Sequence, residues 1–195
     1  IGHIGRIVSG SIAGGEKASM EVDAVSHAGT CRNHSATHLL QAALQEVLGD
    51  QVHQQGSYQD SERTRFDFSY GQAMTKEELE KVEQIVNEKI AEDLQVTTQI
   101  MSVEEAKKTG AMALFGEKYG DEVRVVSMGD FSKELCGGTH VAHTGDIRAF
   151  KILAESGVAA GVRRIEAITG DHVIAYYAQL DKKLAEIAAL LKTNQ

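Results

Sequence analysis

Two short motifs of nitrogen and sulfur side chains, far apart along the chain, constrain the fold more than any other feature. The first runs from His34 to His38 and the second from Cys136 to His140, each with three residues between its two ligand-type side chains. Histidine and cysteine are the side chains that tetrahedral zinc sites use, and such a site takes three or four of them. If both motifs bind one ion, the fold must bring the two segments together. The sequence therefore contains a candidate metal site.

The spacing alone leaves several chemistries open. Three protein ligands leave a metal with an open catalytic position, whereas four make a closed, structural site. A metallopeptidase is disfavoured because the first motif lacks the glutamate of H-E-x-x-H. A thiol nucleophile, Cys136 paired with a histidine, is the alternative covalent mechanism. Cys31, three residues before His34, is interpreted as a buried or idle thiol, although a role as a competing ligand stays open.

Composition limits the class of protein. A chain of 195 residues can bury a core without a disulfide or a metal, so we expect any metal to be functional. A net charge of -8 argues against nucleic-acid binding through a broad cationic surface, but not against a narrow contact. Two cysteines form no disulfide framework, and neither a membrane span nor a signal peptide is apparent. We therefore expect a soluble, cytoplasmic protein with no membrane partner.

The order of the periodic segments predicts an α+β fold with a mixed or antiparallel sheet packed by helices. Residues 1–30 are expected to hold strands, at 6–8 and 18–23, that end a β-domain. A helix is predicted from Thr30 or Asn33 to Gly49, and a second from Thr75, with Glu78 completing its capping box. Further strands are predicted at 52–55, 64–69, 95–102, 123–126, 146–154 and 161–169, with a short helix at 103–108 and a turn or helix at 112–115.

Beyond residue 170 a long C-terminal helix is predicted. Its apolar residues recur in steps of four and three, which is the spacing of a coiled-coil seam. They are Val173, Tyr177, Leu180, Leu184, Ile187 and Leu191. The partner of this seam is either a surface outside the chain or the chain's own domain, and the pattern does not distinguish the two.

Four segments resemble the editing domain of alanyl-tRNA synthetase, which also occurs in free-standing alanyl-tRNA editing proteins. They are NHSATHLL at 33–40, QGS at 55–57, RFDF at 65–68 and CGGTH at 136–140, and the resemblance covers essentially the whole chain. It implies one Zn²⁺ per chain, held by His34, His38, Cys136 and His140. It also implies that Gln55 matches a glutamine of the family that lies near the metal and takes part in editing.

The resemblance further implies an aminoacyl-tRNA ester hydrolase that acts on tRNA(Ala) mischarged with serine or glycine. We hypothesise that the metal binds the aminoacyl group or the attacking water, and that Gln55 orients the water or the substrate. The amides of Gly137 and Gly138 are placed near the carbonyl oxygen. These two glycines are also expected to permit positive φ angles and a close approach to the bound group. Cys136 is expected to be essential to both zinc binding and hydrolysis.

The same resemblance suggests three regions. Residues 1–30 would be the last strands of a truncated β-domain, 31–170 the zinc-binding editing domain, and 171–195 a helix leading to a dimerisation region. A start at Ile1 and a terminal helix favour a synthetase fragment over a free-standing editor, and leave open a homodimer through the helix or the missing region. The editing domain of threonyl-tRNA synthetase is the nearest alternative. A zinc-stapled RNA-binding module without catalysis is the alternative from another class.

Overall fold

The computed structural model describes residues 4–112 and 120–191, and from Ala24 onward these residues form helices and antiparallel strands. The helices are α1 (Ala24–Leu48), α2 (Lys76–Ala91), α3 (Val103–Lys108) and α4 (Asp171–Leu190), with a 3₁₀ turn at Thr144–Ile147. The strands are β1 (Gln54–Gln59), β2 (Thr64–Ser69), β3 (Val96–Ser102), β4 (Glu122–Met128), β5 (Ser132–Leu135), β6 (Phe150–Ala159) and β7 (Val162–Thr169). The predicted α+β class is confirmed.

The strands form two antiparallel sheets. The first has the order β1-β2-β7-β6 and the second the order β3-β4-β5. In β2 every second residue is buried, so Thr64, Phe66 and Phe68 point to one face. Helices α1 and α2 pack against each other, α1 contacts β2 and β7, and α2 contacts β6. The main core therefore lies between this helix pair and the first sheet. It includes Leu39, Leu40, Leu44, Val82, Val86, Phe66, Phe68 and Ile165.

Helix α1 begins earlier than predicted. Its N-cap is Asp23, whose carboxylate accepts the Ser26 N–H at 2.6 Å, so Thr30 and Asn33 lie inside the helix. A carboxylate at this position both caps the first amides and meets the positive end of the helix dipole. Gly29 lies inside the helix. A glycine is needed at this position because a side chain there would overlap the backbone of Ser61. Close packing, rather than flexibility, accounts for this glycine.

The strands predicted near the N-terminus were wrong. Within the described residues 4–23, no segment is a strand, and the second predicted strand, 18–23, ends at the cap of α1. A β-rich composition yields a strand only where a neighbouring strand satisfies its backbone groups. The assignment of this segment to a separate β-domain therefore remains a prediction.

The capping box of α2 is confirmed. The Glu78 N–H donates to Thr75 Oγ1 at 3.1 Å, and the Thr75 N–H donates to a Glu78 carboxylate oxygen at 2.7 Å. Val82, Val86 and Ile90 of this helix are buried and face the core. This helix covers the first sheet and contributes no candidate ligand.

Helix α4 leaves the end of β7 with most of its apolar seam exposed. Val173 is the one buried residue that this helix has in the described part of the chain, whereas Leu184 and Ile187 are more than half exposed. Packing of the whole seam on its own domain is therefore wrong, and a partner outside the chain remains a prediction. Among the described helices, none combines the length and the apolar character needed to cross a bilayer. The turn or helix predicted at 112–115 falls, except for residue 112, outside the described residues. The chain after 191 also lies outside them.

Candidate metal centre

The structure brings together all four side chains of the two motifs. The candidate ligand atoms of His34, His38, Cys136 and His140 lie within 4.8 Å of one another. Cys136 Sγ is 3.5 Å from His34 Nε2 and 3.3 Å from His140 Nε2. Ligand atoms of a tetrahedral zinc site are about 3.3 to 3.6 Å apart, given metal–ligand distances of about 2.0 to 2.3 Å. The donor set and its spacing therefore fit Zn²⁺.

A helix and a loop hold these side chains from opposite sides. His34 and His38 are one turn apart on α1, so they share a face. The segment from Cys136 to His140 follows β5, and β5 packs against α1. The site thus lies where the main helix meets the second sheet.

The loop after β5 is fixed by the side chain of Arg124 on β4. Arg124 Nη1 donates to the carbonyl oxygens of Cys136 at 2.9 Å and Gly138 at 2.6 Å. The Cys136 N–H in turn donates to the carbonyl oxygen of Arg124 at 2.9 Å. Three hydrogen bonds therefore set the position of the cysteine relative to the sheet.

Of the two glycines in the loop, Gly138 allows a close approach, and neither serves an unusual backbone angle. Neither Gly137 nor Gly138 has a positive φ, so that expectation was wrong. A Cβ on Gly138 would overlap the ring of His34, whereas a Cβ on Gly137 would meet nothing within 4 Å. The Gly138 N–H points to Cys136 Sγ at 3.4 Å. Gly138 therefore makes room for a ligand and donates to the sulfur, and its amide is not free for a substrate carbonyl.

The outer ring nitrogens of two histidines contact protein groups. His38 Nδ1 lies 2.8 Å from a carboxylate oxygen of Glu134, and His140 Nδ1 lies 3.2 Å from Ser35 Oγ. Ser35 Oγ also accepts the Val141 N–H at 3.1 Å. His38 Nε2 is buried without a hydrogen-bond partner among the described residues. A buried polar atom of this kind is costly unless it has a ligand, and it faces the cluster.

The electrostatics favour the ligand form of the sulfur. Burial raises the pKa of the Cys136 thiol, but hydrogen bonds from His140 and His34 and the nearby charge of His38 together outweigh burial and bring its pKa to about 3. Burial lowers the pKa of His38, but the charge and hydrogen bond of Glu134 and the charge of Cys136 contribute in the opposite direction, and its pKa is raised to about 10. Burial also lowers the pKa of His140. At neutral pH the sulfur is therefore a thiolate, which is the species that binds metals.

A cavity of about 350 Å³ adjoins the cluster, a size that suits a small ligand or the end of a larger one. Its lining combines the ligands His34, His38 and Cys136 with polar side chains of α1, β1 and β4. The other lining residues are Thr37, Gln41, Gln54, Ser57, Glu122, Val123, Arg124, Glu134, Leu135 and Gly137. The candidate ligands therefore open onto a space that could receive a substrate group.

Comparison with known proteins decides the family. Residues 123–166 match the threonyl and alanyl tRNA synthetase second additional domain. The chain is 59% identical over 194 residues, its whole length, to alanine–tRNA ligase 1 of Lachnoclostridium phytofermentans. It is 56% identical over 191 residues (98% of the chain) to alanine–tRNA ligase of Nitrosomonas europaea, and 54% over 194 residues (all of it) to that of Burkholderia multivorans. This chain belongs to the alanyl-tRNA synthetase family.

The chain spans about 22% of the length of these alanine–tRNA ligases. The predicted resemblance to alanyl-tRNA synthetase is confirmed, and the high identity favours it over the threonyl alternative. The matched second additional domain contains Cys136 and His140, whereas His34 and His38 lie outside the matched residues. The site of this alanyl-tRNA synthetase segment is therefore assembled across the boundary of the matched domain.

The structure places Gln54, and not Gln55, in the cavity. A bulge in β1 lies between Gln54 and Gly56, so Gln55 is the extra residue, and it is exposed. In a regular strand Gln55 and Ser57 would share a face; the bulge gives that face to Gln54 and Ser57 instead. Sequence reasoning missed Gln54 because two adjacent glutamines cannot be distinguished without the register. A functional role for either glutamine remains a proposal.

Cys31 is not among the four clustered side chains. Its Sγ lies 2.9 Å from Thr139 Oγ1, which in turn lies 2.9 Å from His27 Nε2. The side chain is buried, as predicted. Cys31 therefore packs against the loop beside the candidate ligands and does not join them.

Proposed function

We propose that this chain is an aminoacyl-tRNA editing hydrolase, which removes serine or glycine from mischarged tRNA(Ala). The observation that carries the proposal is the cluster of three histidines and one cysteine, three of which line a cavity of about 350 Å³. Membership of the alanyl-tRNA synthetase family supports the choice of tRNA. A protein that edits tRNA acts where its tRNA substrate is, which agrees with the cytoplasmic location expected from the sequence.

The reaction is hydrolysis of an ester. A water oxygen bonds to the carbonyl carbon of the amino acid, the bond from that carbon to the ribose oxygen breaks, and the ribose oxygen takes a proton. His34, His38, Cys136 and His140 are the residues that would hold Zn²⁺. With one position on the ion open to the substrate or to water, Zn²⁺ would supply a Lewis acid that polarises the carbonyl or lowers the pKa of a water to about 7.

Other side chains of the cavity would orient the reacting groups. The orienting role that was predicted for Gln55 is assigned to Gln54, because Gln54 lines the cavity with Ser57. Gly137 also lines the cavity, so its amide is the better candidate to meet the carbonyl oxygen, because the Gly138 amide points at Cys136.

Selectivity follows from the chemistry of the two amino acids. A synthetic site sized for alanine rejects glycine and serine poorly, so a second hydrolytic site has errors to remove. Serine carries a hydroxyl that polar groups such as Gln54 and Ser57 could bind, and alanine does not. Only serine is covered by this contact, so hydrolysis of glycyl-tRNA(Ala) is proposed from the family relationship alone.

Deacylation of seryl-, glycyl- and alanyl-tRNA(Ala), with and without a chelator, tests the proposal. We expect metal-dependent release of serine and glycine, with alanine left in place. Cys136→Ala should lose bound zinc and hydrolysis together. Cys31→Ser is the matched control, because Cys31 lies beside the same loop but outside the cluster, and it should keep both.

Two results would contradict the proposal in different ways. Zinc-loaded protein without hydrolysis would indicate the non-catalytic RNA-binding alternative, which the four protein ligands of a closed site would suit. Hydrolysis that survives metal removal but not Cys136→Ala would indicate a thiol nucleophile in place of a metal.

A further inference from the structure

Glu134 is a buried carboxylate to which the proposed reaction gives no role. It is 5% exposed, lies on β5 two residues before Cys136, and lines the cavity. A carboxylate is rarely buried unless it is paired or hydrogen-bonded, because burial removes its hydration. Its closest ionisable partner is His38, whose Nδ1 lies 2.8 Å from Glu134 Oε2.

We propose that Glu134 is a positioning residue that fixes both the orientation and the tautomer of His38 as a metal ligand. The proposal rests on the zinc site of the proposed function. A carboxylate only accepts hydrogen bonds, so the nitrogen facing it, Nδ1, must carry the proton. In a neutral imidazole the other nitrogen then has the free lone pair. That nitrogen, His38 Nε2, is the buried atom without a partner in the described structure.

Glu134 lies close to Cys136 along the chain. Strand β5 ends at Leu135, and Cys136 is the first residue of the loop that follows it. Within the strand alternate residues share a face, so Ser132 and Glu134 point the same way. Ser132 Oγ lies 3.4 Å from Glu134 Oε1, near the oxygen that His38 does not use. The strand that leads into the ligand loop therefore also supplies the group that orients another ligand.

Glu134 also balances the charge of the proposed site. Zn²⁺ with one thiolate and three neutral imidazoles keeps one positive charge, and a carboxylate within hydrogen-bond distance of one imidazole neutralises it. Such outer groups raise the basicity of the histidine that they contact. Both effects strengthen metal binding without direct contact between the carboxylate and the metal.

Zinc affinity, measured by competition with a chromophoric chelator, tests this role. We expect Glu134→Ala to bind zinc about 10- to 100-fold more weakly than the wild-type chain. Glu134→Gln should lose less, because its amide oxygen can still accept the His38 Nδ1–H, and its matching shape preserves the fold. Glu122→Gln is the control: Glu122 lines the same cavity but is exposed, and it should bind zinc like the wild type.

Nitrogen-15 NMR of the zinc-loaded histidines gives a reading that simple destabilisation would not reproduce. We expect a protonated Nδ1 on His38 in the wild type and in Glu134→Gln, and a loss of its slowly exchanging proton in Glu134→Ala. If the wild type binds zinc and Glu134→Ala binds it with the same affinity, the role of Glu134 is overturned and the metal site is not. A wild-type chain that binds no zinc would overturn the proposed metal site, and this role with it.

Discussion

The close approach of Gly138 to His34 makes substitution of this glycine a direct test of the metal centre. A methyl group at position 138 would overlap the His34 ring, so Gly138→Ala must push the ring away from the cluster or shift the loop. The loop resists, because Arg124 holds the carbonyl oxygens of Cys136 and Gly138. We therefore expect His34 to move and the metal-bound geometry to be strained.

The size of the effect follows from the cost of overpacking. Forcing one extra methyl into a packed site costs about 1 to 3 kcal/mol. Without metal, His34 can turn outward and relieve the contact, so this cost falls mainly on the zinc-bound state. At about 1.4 kcal/mol per tenfold change, Gly138→Ala should weaken zinc binding by about 5- to 150-fold. The free energy of unfolding of the metal-free chain should change much less.

Competition with a chromophoric chelator would measure the zinc affinity, and urea denaturation in excess chelator the stability. The matched control is Gly137→Ala, because Gly137 lies in the same loop, has no positive φ, and has open space where the methyl would go. We expect Gly137→Ala to bind zinc like the wild type. Equal affinities for Gly138→Ala and the wild type would refute the reasoning, as would equal losses in the two variants.

Two further predictions separate the cavity from the scaffold. Gln54→Ala should lower kcat/KM for deacylation of seryl-tRNA(Ala) by about 100-fold, which is the usual cost of losing one orienting donor. Gln55→Ala should stay near the wild type. The opposite result would return the orienting role to Gln55. Asp67→Asn should lower the free energy of unfolding at neutral pH by about 1 kcal/mol, because Asp67 accepts two hydrogen bonds of 2.7 Å from Arg164. The Arg164 hydrogen bond holds the pKa of Asp67 below its usual 3.8, so this contribution is present above that value and is lost as pH falls through the folded-state pKa. Urea denaturation of both proteins should thus differ at neutral pH and converge in acid.

The clustering of the four candidate ligands was predictable because the chemistry of each motif is local. Two histidines four apart on a helix share a face whatever the rest of the fold does, and few other residue types bind zinc. The start of α1 was harder, since Asp23, Thr30 and Asn33 are all competent caps. The structure shows Asp23 as the cap, and Gly29, inside the helix, packs against Ser61, which is distant in the sequence.

The cavity residue was missed for a related reason. Whether Gln54 or Gln55 faces the cavity depends on one bulge, and the bulge is visible only in the pairing of β1 with β2. The glycines at 137 and 138 were expected to adopt positive φ angles. The structure instead needs Gly138 because a side chain at that position would overlap the ring of His34. In both cases the local sequence allows two interpretations of a residue, and a tertiary contact decides which one is correct.

Each histidine of the candidate centre is positioned by a different part of the fold. Glu134 on β5 faces His38, Ser35 on α1 faces His140, and the backbone of Gly138 packs on the ring of His34. Orienting groups of this kind reduce the ordering that a ligand must impose when it binds. These contacts come from packed elements of the fold, so groups other than the candidate ligands orient all three histidines. The same feature explains why the two motifs can lie so far apart in the sequence: the packing of α1 against β5 brings them together.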